Sequence, residues 1–216
     1  MEDVSYVKAA ALFSGGKDSL YATYLVEKQG VVVDDLITLI PSLPWPSPHA
    51  ENIEALKVLA GSMHKNLTII DFRREEAFIE ALRNLEIDGL VAGDIFVEAH
   101  IRGLEDVCSK VGLKLLEPLY GRDTSELFHE IFGFGFKAVV TGVNLKFLGE
   151  EILGFVISRE TSGTFLSRIG GNDPLGENGE FHTLVLECPL YSKPFKLETF
   201  KKKVAKDMAY LAVTIF

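Results

Sequence analysis

Residues 6–29 read YVKAAALFSGGKDSLYATYLVEKQ, which is an apolar run, a glycine turn and an amphipathic segment in direct succession. The run 6–13 has the length and composition of a buried strand, and 17–29 repeats apolar residues at helical spacing. The stretch therefore predicts a strand, a tight turn and a helix, the unit from which parallel α/β sheets are built.

The same alternation continues along the chain to about residue 142. Further strands are predicted at 31–40, 66–71, 87–92, 113–116 and 137–142, with helices at 50–63, 74–85, 97–111 and 124–134. Strands separated by helices of this length imply right-handed crossovers and a parallel sheet with helices on both faces. The predicted fold class is α/β. The Pro-rich segment 41–48, which contains Trp45, is expected at the carboxyl edge of this sheet, where open α/β folds bind ligands.

From about Asn144 onward the regular alternation stops. The pattern there predicts a helix at 160–169, the loop GGNDPLGENGE, a strand near 182–188 and a last helix near 197–210. We therefore expect two domains, a parallel-sheet domain over residues 1–145 and a smaller C-terminal α+β domain over residues 146–216.

Composition excludes several classes of protein. The chain has 216 residues and a net charge of −9, with no basic stripe, which argues against a nucleic-acid partner. No segment approaches the ~18 apolar residues of a membrane helix, and no signal peptide is visible, so we expect a soluble, cytoplasmic protein with no membrane partner. Cys108 and Cys188 are far apart and lack metal-site spacing, so both are predicted to be buried thiols.

The turn SGGKDS, residues 14–19, is neither a Walker A loop nor a GxGxxG loop. Glycines let the backbone approach an anion, and the amides at a helix start point toward it. A carboxylate beside phosphate requires a cation between them, so Asp18 is assigned to Mg²⁺. The alternative is a serine-capped turn with solvated charges. The predicted phosphate cradle consists of Ser14, Gly15, Gly16, Lys17, Asp18 and Ser19.

A second motif, GENGEFHT at residues 176–183, places Glu177, Glu180 and His182 within six residues. Such a cluster could hold a metal, bind an ammonium or amine, or act as a general base. A solvated acidic hairpin loop is the alternative interpretation.

Both motifs resemble those of known enzymes. SGGKDS is similar to the PP-loop of N-type ATP pyrophosphatases, which cleave ATP between the α and β phosphates. GENGEFHT resembles the C-terminal signature of the diphthine–ammonia ligase family, whose members carry GEGGEF or GENGEF. Further family-like segments are His49 with Asn52, Leu90–Asp94, Glu105–Cys108, Pro118–Asp123 and Gly133–Val143.

The resemblance implies a Rossmann-like PP-loop fold of the adenine nucleotide alpha hydrolase type, with ATP and Mg²⁺ as cofactors. Members adenylate the carboxylate of diphthine on translation elongation factor two, and ammonia then displaces AMP to give diphthamide. The implied partners are therefore ATP, ammonium and that elongation factor. The residues expected to bind ammonium and take its proton are Glu177, Glu180, His182 and Asp94, with Glu98 in reserve. Gly93 is expected near the nucleotide.

One segment departs from the family pattern. Where characterised ligases read Asp-Tyr-Gln-Arg after the fourth strand, this chain has Glu98-Ala99-His100-Ile101-Arg102, which is more similar to bacterial and divergent archaeal relatives. The acceptor therefore stays open, and a tRNA base or a small molecule is an alternative. A non-enzymatic ATP-binding sensor is a third hypothesis, although it would not need GENGEFHT.

Overall fold

The computed structural model describes residues 7–40, 48–71, 73–96 and 98–216. The Pro-rich segment with Trp45, up to residue 47, lies outside these residues. The first sheet has five parallel strands in the order β3-β2-β1-β4-β5. Its strands are β1 Lys8–Leu12, β2 Val32–Ile40, β3 Asn66–Asp71, β4 Gly89–Val91 and β5 Lys114–Leu116. The connecting helices are α1 Lys17–Lys28, α2 Pro48–Glu51, α3 Ile53–Ser62, α4 Glu75–Arg83 and α5 Glu98–Val111.

Helices cover both faces of this sheet, as the α/β prediction requires. Ala9 and Ala11 of β1 pack in the core shared with α1 and α3, whereas Ala10 packs in a second cluster with Phe78 of α4 and Val107 of α5. Successive side chains of a strand point to opposite faces, so the three alanines bring helices close on both sides. The fold class predicted from the sequence is confirmed.

The second half of the described chain forms an antiparallel sheet in the order β7-β6-β10-β9, with β8 also paired to β6. Helix α6, Thr124–Gly133, leads into it, and α7, Ser162–Ile169, follows a 3-10 turn at Glu150–Ile152. The strands are β6 Lys137–Asn144, β7 Val156–Ile157, β8 Phe181–Glu187, β9 Leu197–Ala205 and β10 Met208–Ile215.

Two sequence predictions for this half are wrong. The strand predicted at 137–142 is present as β6, but it pairs antiparallel with β8 and β10 instead of extending the parallel sheet. The last helix predicted at 197–210 is a hairpin of β9 and β10, joined by the two residues Lys206 and Asp207. Lys206 has a left-handed φ of 54°, which tight hairpins require. The domain boundary at residue 145 stays a prediction.

The two sheets share one hydrophobic core. Leu184 and Val185 of β8 belong to the same cluster as Leu20 of α1 and Leu56 of α3. Buried Asn52, at the start of α3, joins that helix to β10, because its amide donates to Leu211 O at 3.0 Å and its carbonyl accepts from Val213 N at 2.8 Å. The second sheet therefore packs against α1 and α3 of the first half.

Two expectations from composition can be checked in the described residues. Cys108 and Cys188 are both buried and unbridged, as predicted. Among the helices that the structure describes, none combines the length and hydropathy needed to cross a bilayer.

Candidate active site

The turn SGGKDS, called the PP-loop below, connects β1 to α1. Gly15 has a left-handed φ of 71°, and a Cβ there would lie 2.5 Å from the side chain of Leu56, so only glycine fits. Gly16 is the N-cap of α1. Ser19 donates its hydroxyl to Gly16 O at 3.1 Å and lies 3.1 Å from the hydroxyl of Ser14. The two serines predicted as phosphate donors thus also brace the loop internally.

Gly93, just beyond β4, supports the PP-loop from the side. A Cβ at this position would lie 2.9 Å from the backbone of Asp18 and 2.9 Å from Ser19 N. Contacts of this length are shorter than a side chain tolerates, so glycine is what lets the end of β4 lie against the start of α1. Gly93 also lines the cleft next to the PP-loop.

Strand β8 of the second sheet runs beside the PP-loop. Val185 N donates to Gly15 O at 2.8 Å, and Lys17 N donates to the hydroxyl of Thr183 at 3.2 Å. Phe181 also contacts Lys17, whose ammonium lies 5.1 Å from the ring centre. His182, between Phe181 and Thr183, is half-buried and lies opposite Gly142 of β6. Strand β8 thus contributes Phe181 and Thr183 to the contact with Lys17.

The side chain of Lys17 links the two halves of the site. It is almost entirely buried, with 2% of its surface exposed. Its ammonium donates to the carbonyl oxygen of Leu175 at 2.6 Å and to Asp18 Oδ2 at 2.9 Å. Lysine is seldom buried unless it is paired. The pairing observed here holds residues 172–180, called the GENGEF loop below, against the PP-loop.

The GENGEF loop is shaped by Asp173 and two glycines. Asp173 Oδ1 accepts from the amides of Leu175 and Glu177, at 2.9 and 3.2 Å, and its other oxygen accepts from the hydroxyl of Thr124 at 2.7 Å. Gly176 and Gly179 have left-handed φ values of 76° and 80°. The repeated glycines of the motif are thus required by the backbone conformation.

The two glutamates of the motif have different environments. Glu180 is 2% exposed, and its carboxylate accepts from Asn178 N at 2.9 Å, Asn178 Nδ2 at 3.0 Å and Asp173 N at 3.2 Å. Its charge is therefore used to hold the loop closed. Glu177 instead lines the cleft between the GENGEF loop and the first sheet.

That cleft has a volume of about 330 Å³. Its lining includes Ser14, Asp18, Ser19, Thr38, Asp94 and Glu177. Burial, together with the negative charge of Asp18, raises the pKa of Glu177 to about 7. A carboxyl group with such a pKa can accept a proton near neutral pH, which is what a general base requires. The arrangement therefore places the PP-loop and a proton acceptor in one cleft.

The residues around Asp18 fit a magnesium ion. Asp18 Oδ1 is buried without a hydrogen-bond partner, and burial raises the pKa of the carboxyl group against the opposing effect of Lys17. The charge of Asp173 raises the pKa of Asp18 further. In the described residues no three acidic, His or Cys side chains converge into a complete metal cage. Such a site suits Mg²⁺, which binds one or two carboxylates together with substrate phosphates and water.

Asp94 lies after β4 and lines the cleft. Its Oδ1 is 3.1 Å from His100 Nδ1 on α5. Glu98, the reserve candidate, is exposed and forms an ion pair with Arg102 at 3.0 Å. The structure therefore brings together Asp18, Asp94 and Glu177, and gives Glu98 a surface position.

Sequence reasoning did not identify Thr183 as a site residue, and it noted Asp173 only as a neighbour of the acidic cluster. Thr183 closes the motif GENGEFHT, and Asp173 opens an Asp-Pro turn before it, so both were visible as part of the pattern. Their roles depend on partners far away in the chain, namely Lys17 and Thr124. Spacing within the motif could not show those contacts.

Another family-like segment, Pro118–Asp123, has a supporting position. Asp123 caps α6 by accepting from Glu126 N at 2.9 Å. Arg122 binds Glu130 of the same helix at 2.6 Å, and Tyr21 of α1 donates its hydroxyl to Glu130. The segment thereby fixes α6 against α1, the helix that carries the PP-loop.

Comparison with known proteins covers nearly the whole chain. The family model for the diphthamide synthase N-terminal domain matches residues 7–115, and that for the diphthamide synthase C-terminal domain matches residues 123–215. Among solved structures, the U34-tRNA thiolase NcsA from Methanococcus maripaludis with its [4Fe-4S] cluster aligns with a TM-score of 0.41 and 18% identity, over 62% of this chain and 61% of that chain.

Curated relatives carry the name diphthine–ammonia ligase. The protein from Danio rerio is 27% identical over 60% of this chain and 51% of its own length, and that from Schizosaccharomyces pombe is 30% identical over 59% and 22%. The chain thus spans about half or less of the length of these two. The Bos taurus protein is 25% identical over 87% of this chain and 81% of its own length. With both family models matched in order along the sequence, this chain belongs to the diphthamide synthase family.

Proposed function

We propose that this protein is an ATP-dependent ligase that adenylates a carboxylate and converts it to an amide with ammonia, releasing AMP and pyrophosphate. The observation that carries the proposal is the position of Glu177. The GENGEF loop, held by Lys17, presents this carboxylate in the same cleft as the PP-loop. A proton acceptor beside a phosphate-binding turn suits a reaction in which ammonium must lose a proton.

In the first step the acceptor carboxylate attacks the α-phosphorus of ATP, and the bond to the β-phosphate oxygen breaks. The amides at the start of α1 and the hydroxyls of Ser14 and Ser19 bind the departing pyrophosphate. Asp18 would hold Mg²⁺, and the ion would supply positive charge to offset the negative charge of the phosphates. A carboxylate is already a nucleophile, so this step depends on positioning more than on a base.

In the second step ammonia attacks the acyl carbon of the adenylate, and the bond to AMP breaks. Ammonium must first lose a proton, and Glu177 accepts it. Asp94, which also lines the cleft, contributes negative charge that attracts the cation. Glu180 supports the step indirectly, because it fixes the loop on which Glu177 lies.

The acceptor that we propose is diphthine on translation elongation factor two, since the curated relatives are named for it. A second candidate acceptor is a carboxylate other than diphthine. The reason to test it is the segment around His100, which departs from the family pattern. The net charge of −9 weighs against a tRNA acceptor.

The decisive experiment incubates the protein with ATP, Mg²⁺ and ammonium chloride, together with elongation factor two that either carries diphthine or is unmodified. We expect AMP, pyrophosphate and an amide product only with the diphthine form. Glu177→Gln serves as the variant that should lose the amide product. ATP binding without AMP formation in either mixture would overturn diphthine as the acceptor, and AMP formation when tRNA replaces the factor would support the nucleic-acid alternative.

A further inference from the structure

Strand β9 lies at the edge of the second sheet. Among the described residues it pairs with β10 alone, and it stands last in the order β7-β6-β10-β9. In an antiparallel pair every second residue points its backbone N–H and C=O groups away from the partner strand. The nine residues of β9 therefore present a row of donors and acceptors to which another extended chain can pair. The ligase reaction gives this edge no role.

The segment around β9 has a charge opposite to that of the rest of the chain. Residues 193–206 contain six lysines and one glutamate, a net charge of +5. The other 202 residues contain 16 basic and 30 acidic residues, a net charge of −14. The centre of the strand consists of three consecutive lysines, Lys201, Lys202 and Lys203. An acidic protein thus has one basic edge.

Two of these lysines are paired within the protein. Lys202 forms an ion pair with Glu150 of the 3-10 turn, and Lys203 forms one with Glu51 of α2. Three further lysines are exposed and form no ion pair with another described residue, namely Lys193, Lys196 and Lys201. Their ammonium groups are the ones that a partner would meet along the edge.

The lysines restrict which kind of chain can pair with β9. If two copies of β9 paired antiparallel about a two-fold axis at the strand centre, Lys201 would lie opposite its own copy, and an axis one residue further along would do the same to Lys202. Like charges directly opposite each other are destabilising. A nucleic acid would meet the ammonium groups but would leave the backbone donors and acceptors without a strand partner. An extended peptide with carboxylates satisfies both.

We propose that β9 binds an extended, acidic segment of a protein partner, which joins the second sheet as a further strand. Backbone hydrogen bonds along the edge supply affinity, and pairing of the exposed lysines with carboxylates selects the sequence. Because these ion pairs are exposed to solvent, binding weakens as the salt concentration rises. The proposal goes beyond the ligase function, and its test needs no turnover.

A fluorescent octapeptide of alternating Glu and Thr is a suitable probe, since Thr favours extended backbone and Glu supplies the charge. Its binding to the full chain is measured by fluorescence anisotropy. We expect an octapeptide of alternating Lys and Thr to bind about tenfold more weakly or not at all. The Glu-Thr peptide with every backbone amide N-methylated keeps its carboxylates but cannot donate to β9, so it should bind about tenfold more weakly. Equal binding of the methylated and unmethylated peptides would overturn the proposal.

Lys201→Glu reverses the charge at the centre of the strand. Because this side chain is exposed, the variant should fold. We expect the Glu-Thr peptide to bind about fivefold more weakly, and the Lys-Thr peptide to bind more tightly than it does to the natural chain. Lys114→Glu is the matched control, since it makes the same change in net charge at an exposed position of β5, the edge strand of the parallel sheet. Equal losses in both variants would overturn the proposal, because binding would then follow net charge alone.

Other occupants of the edge give different results. A thymidine octanucleotide that binds more tightly than the Glu-Thr peptide, and is released in Lys201→Glu, would overturn the proposal in favour of a nucleic acid. A dimer in sedimentation that the Glu-Thr peptide dissociates would place a second copy of this chain on β9 and would overturn it as well.

Discussion

The ammonium of Lys17 donates a hydrogen bond to the carbonyl oxygen of Leu175, 158 positions further along the chain, over 2.6 Å. This bond joins the PP-loop to the GENGEF loop. Because the lysine is buried and also pairs with Asp18, a single side chain holds the PP-loop against the loop that carries Glu177. The contact explains why two motifs so distant in sequence serve one cleft.

Replacing Lys17 by methionine keeps the length of the side chain and removes the charge. Leu175 O and Asp18 then lose their donor, and hydrogen bonds to charged groups contribute about 1.5–3 kcal/mol. We expect the free energy of unfolding, measured in urea, to fall by about that amount, and ATP binding to be lost. Lys57→Met is the control, because Lys57 forms an exposed pair with Glu54 that should contribute at most about 1 kcal/mol. Equal losses in both variants would contradict the linking role.

Glu177→Gln and Glu180→Gln should separate catalysis from structure. Glu177→Gln removes the proton acceptor, so amide formation should fall by about 10²–10⁴ while pyrophosphate exchange and thermal stability are retained. In Glu180→Gln the new amide group would face the donors of Asn178 and Asp173, which should cost about 1–3 kcal/mol of stability. Stability is measured by calorimetric melting, and the two partial reactions, pyrophosphate exchange and amide formation, are measured separately. If Glu180→Gln lost amide formation and Glu177→Gln lost stability, Glu180 would be the base.

Gly93→Ala tests the close approach of β4 to α1. The added methyl group would lie 2.9 Å from backbone atoms of Asp18 and Ser19, which cannot move without shifting the PP-loop. We expect a loss of about 1–3 kcal/mol in the free energy of unfolding, together with weaker ATP binding. Gly61→Ala, at an unobstructed helical position, should instead gain about 0.5–1 kcal/mol. Retention of full ATP affinity in Gly93→Ala would argue against this packing role.

The contact between Arg122 and Glu130 predicts a pH-dependent stability. Hydrogen bonds from Arg122 and Tyr21 hold the pKa of Glu130 below its ordinary value of 4.5. A carboxyl group whose pKa is lowered by folding contributes stability above its unfolded pKa and loses it as the pH falls through the folded pKa. Glu130→Gln should therefore be less stable than the natural chain at pH 7 by about 1–2 kcal/mol. The difference should shrink below about pH 4.5. A difference that is constant from pH 7 to pH 3 would exclude this cause.

Much of the fold was predictable from local pattern. Every helix predicted between residues 17 and 134 is present within a few residues, because apolar residues recur there at helical spacing between strands rich in Val, Ile, Leu and Ala. The C-terminal hairpin was not predictable in this way. Residues 197–210 contain Lys and Ala at positions that suit a helix, yet β10 pairs with β6 and buries Ala209 and Leu211 in the shared core. Tertiary pairing overrides a weak local preference.

The sequence by itself determined the parallel sheet, the glycine turn between β1 and α1 and the glycine-rich acidic loop, since each depends on residues that are neighbours in the chain. Only the tertiary structure decided that β6 leaves the parallel sheet, and that Glu180 holds the loop while Glu177 faces the cleft. Two glutamates three positions apart have the same intrinsic chemistry. Their roles differ because their surroundings in the folded chain differ. Glu180 is buried and accepts hydrogen bonds from the backbone of its own loop, whereas Glu177 lies in the cleft beside the PP-loop.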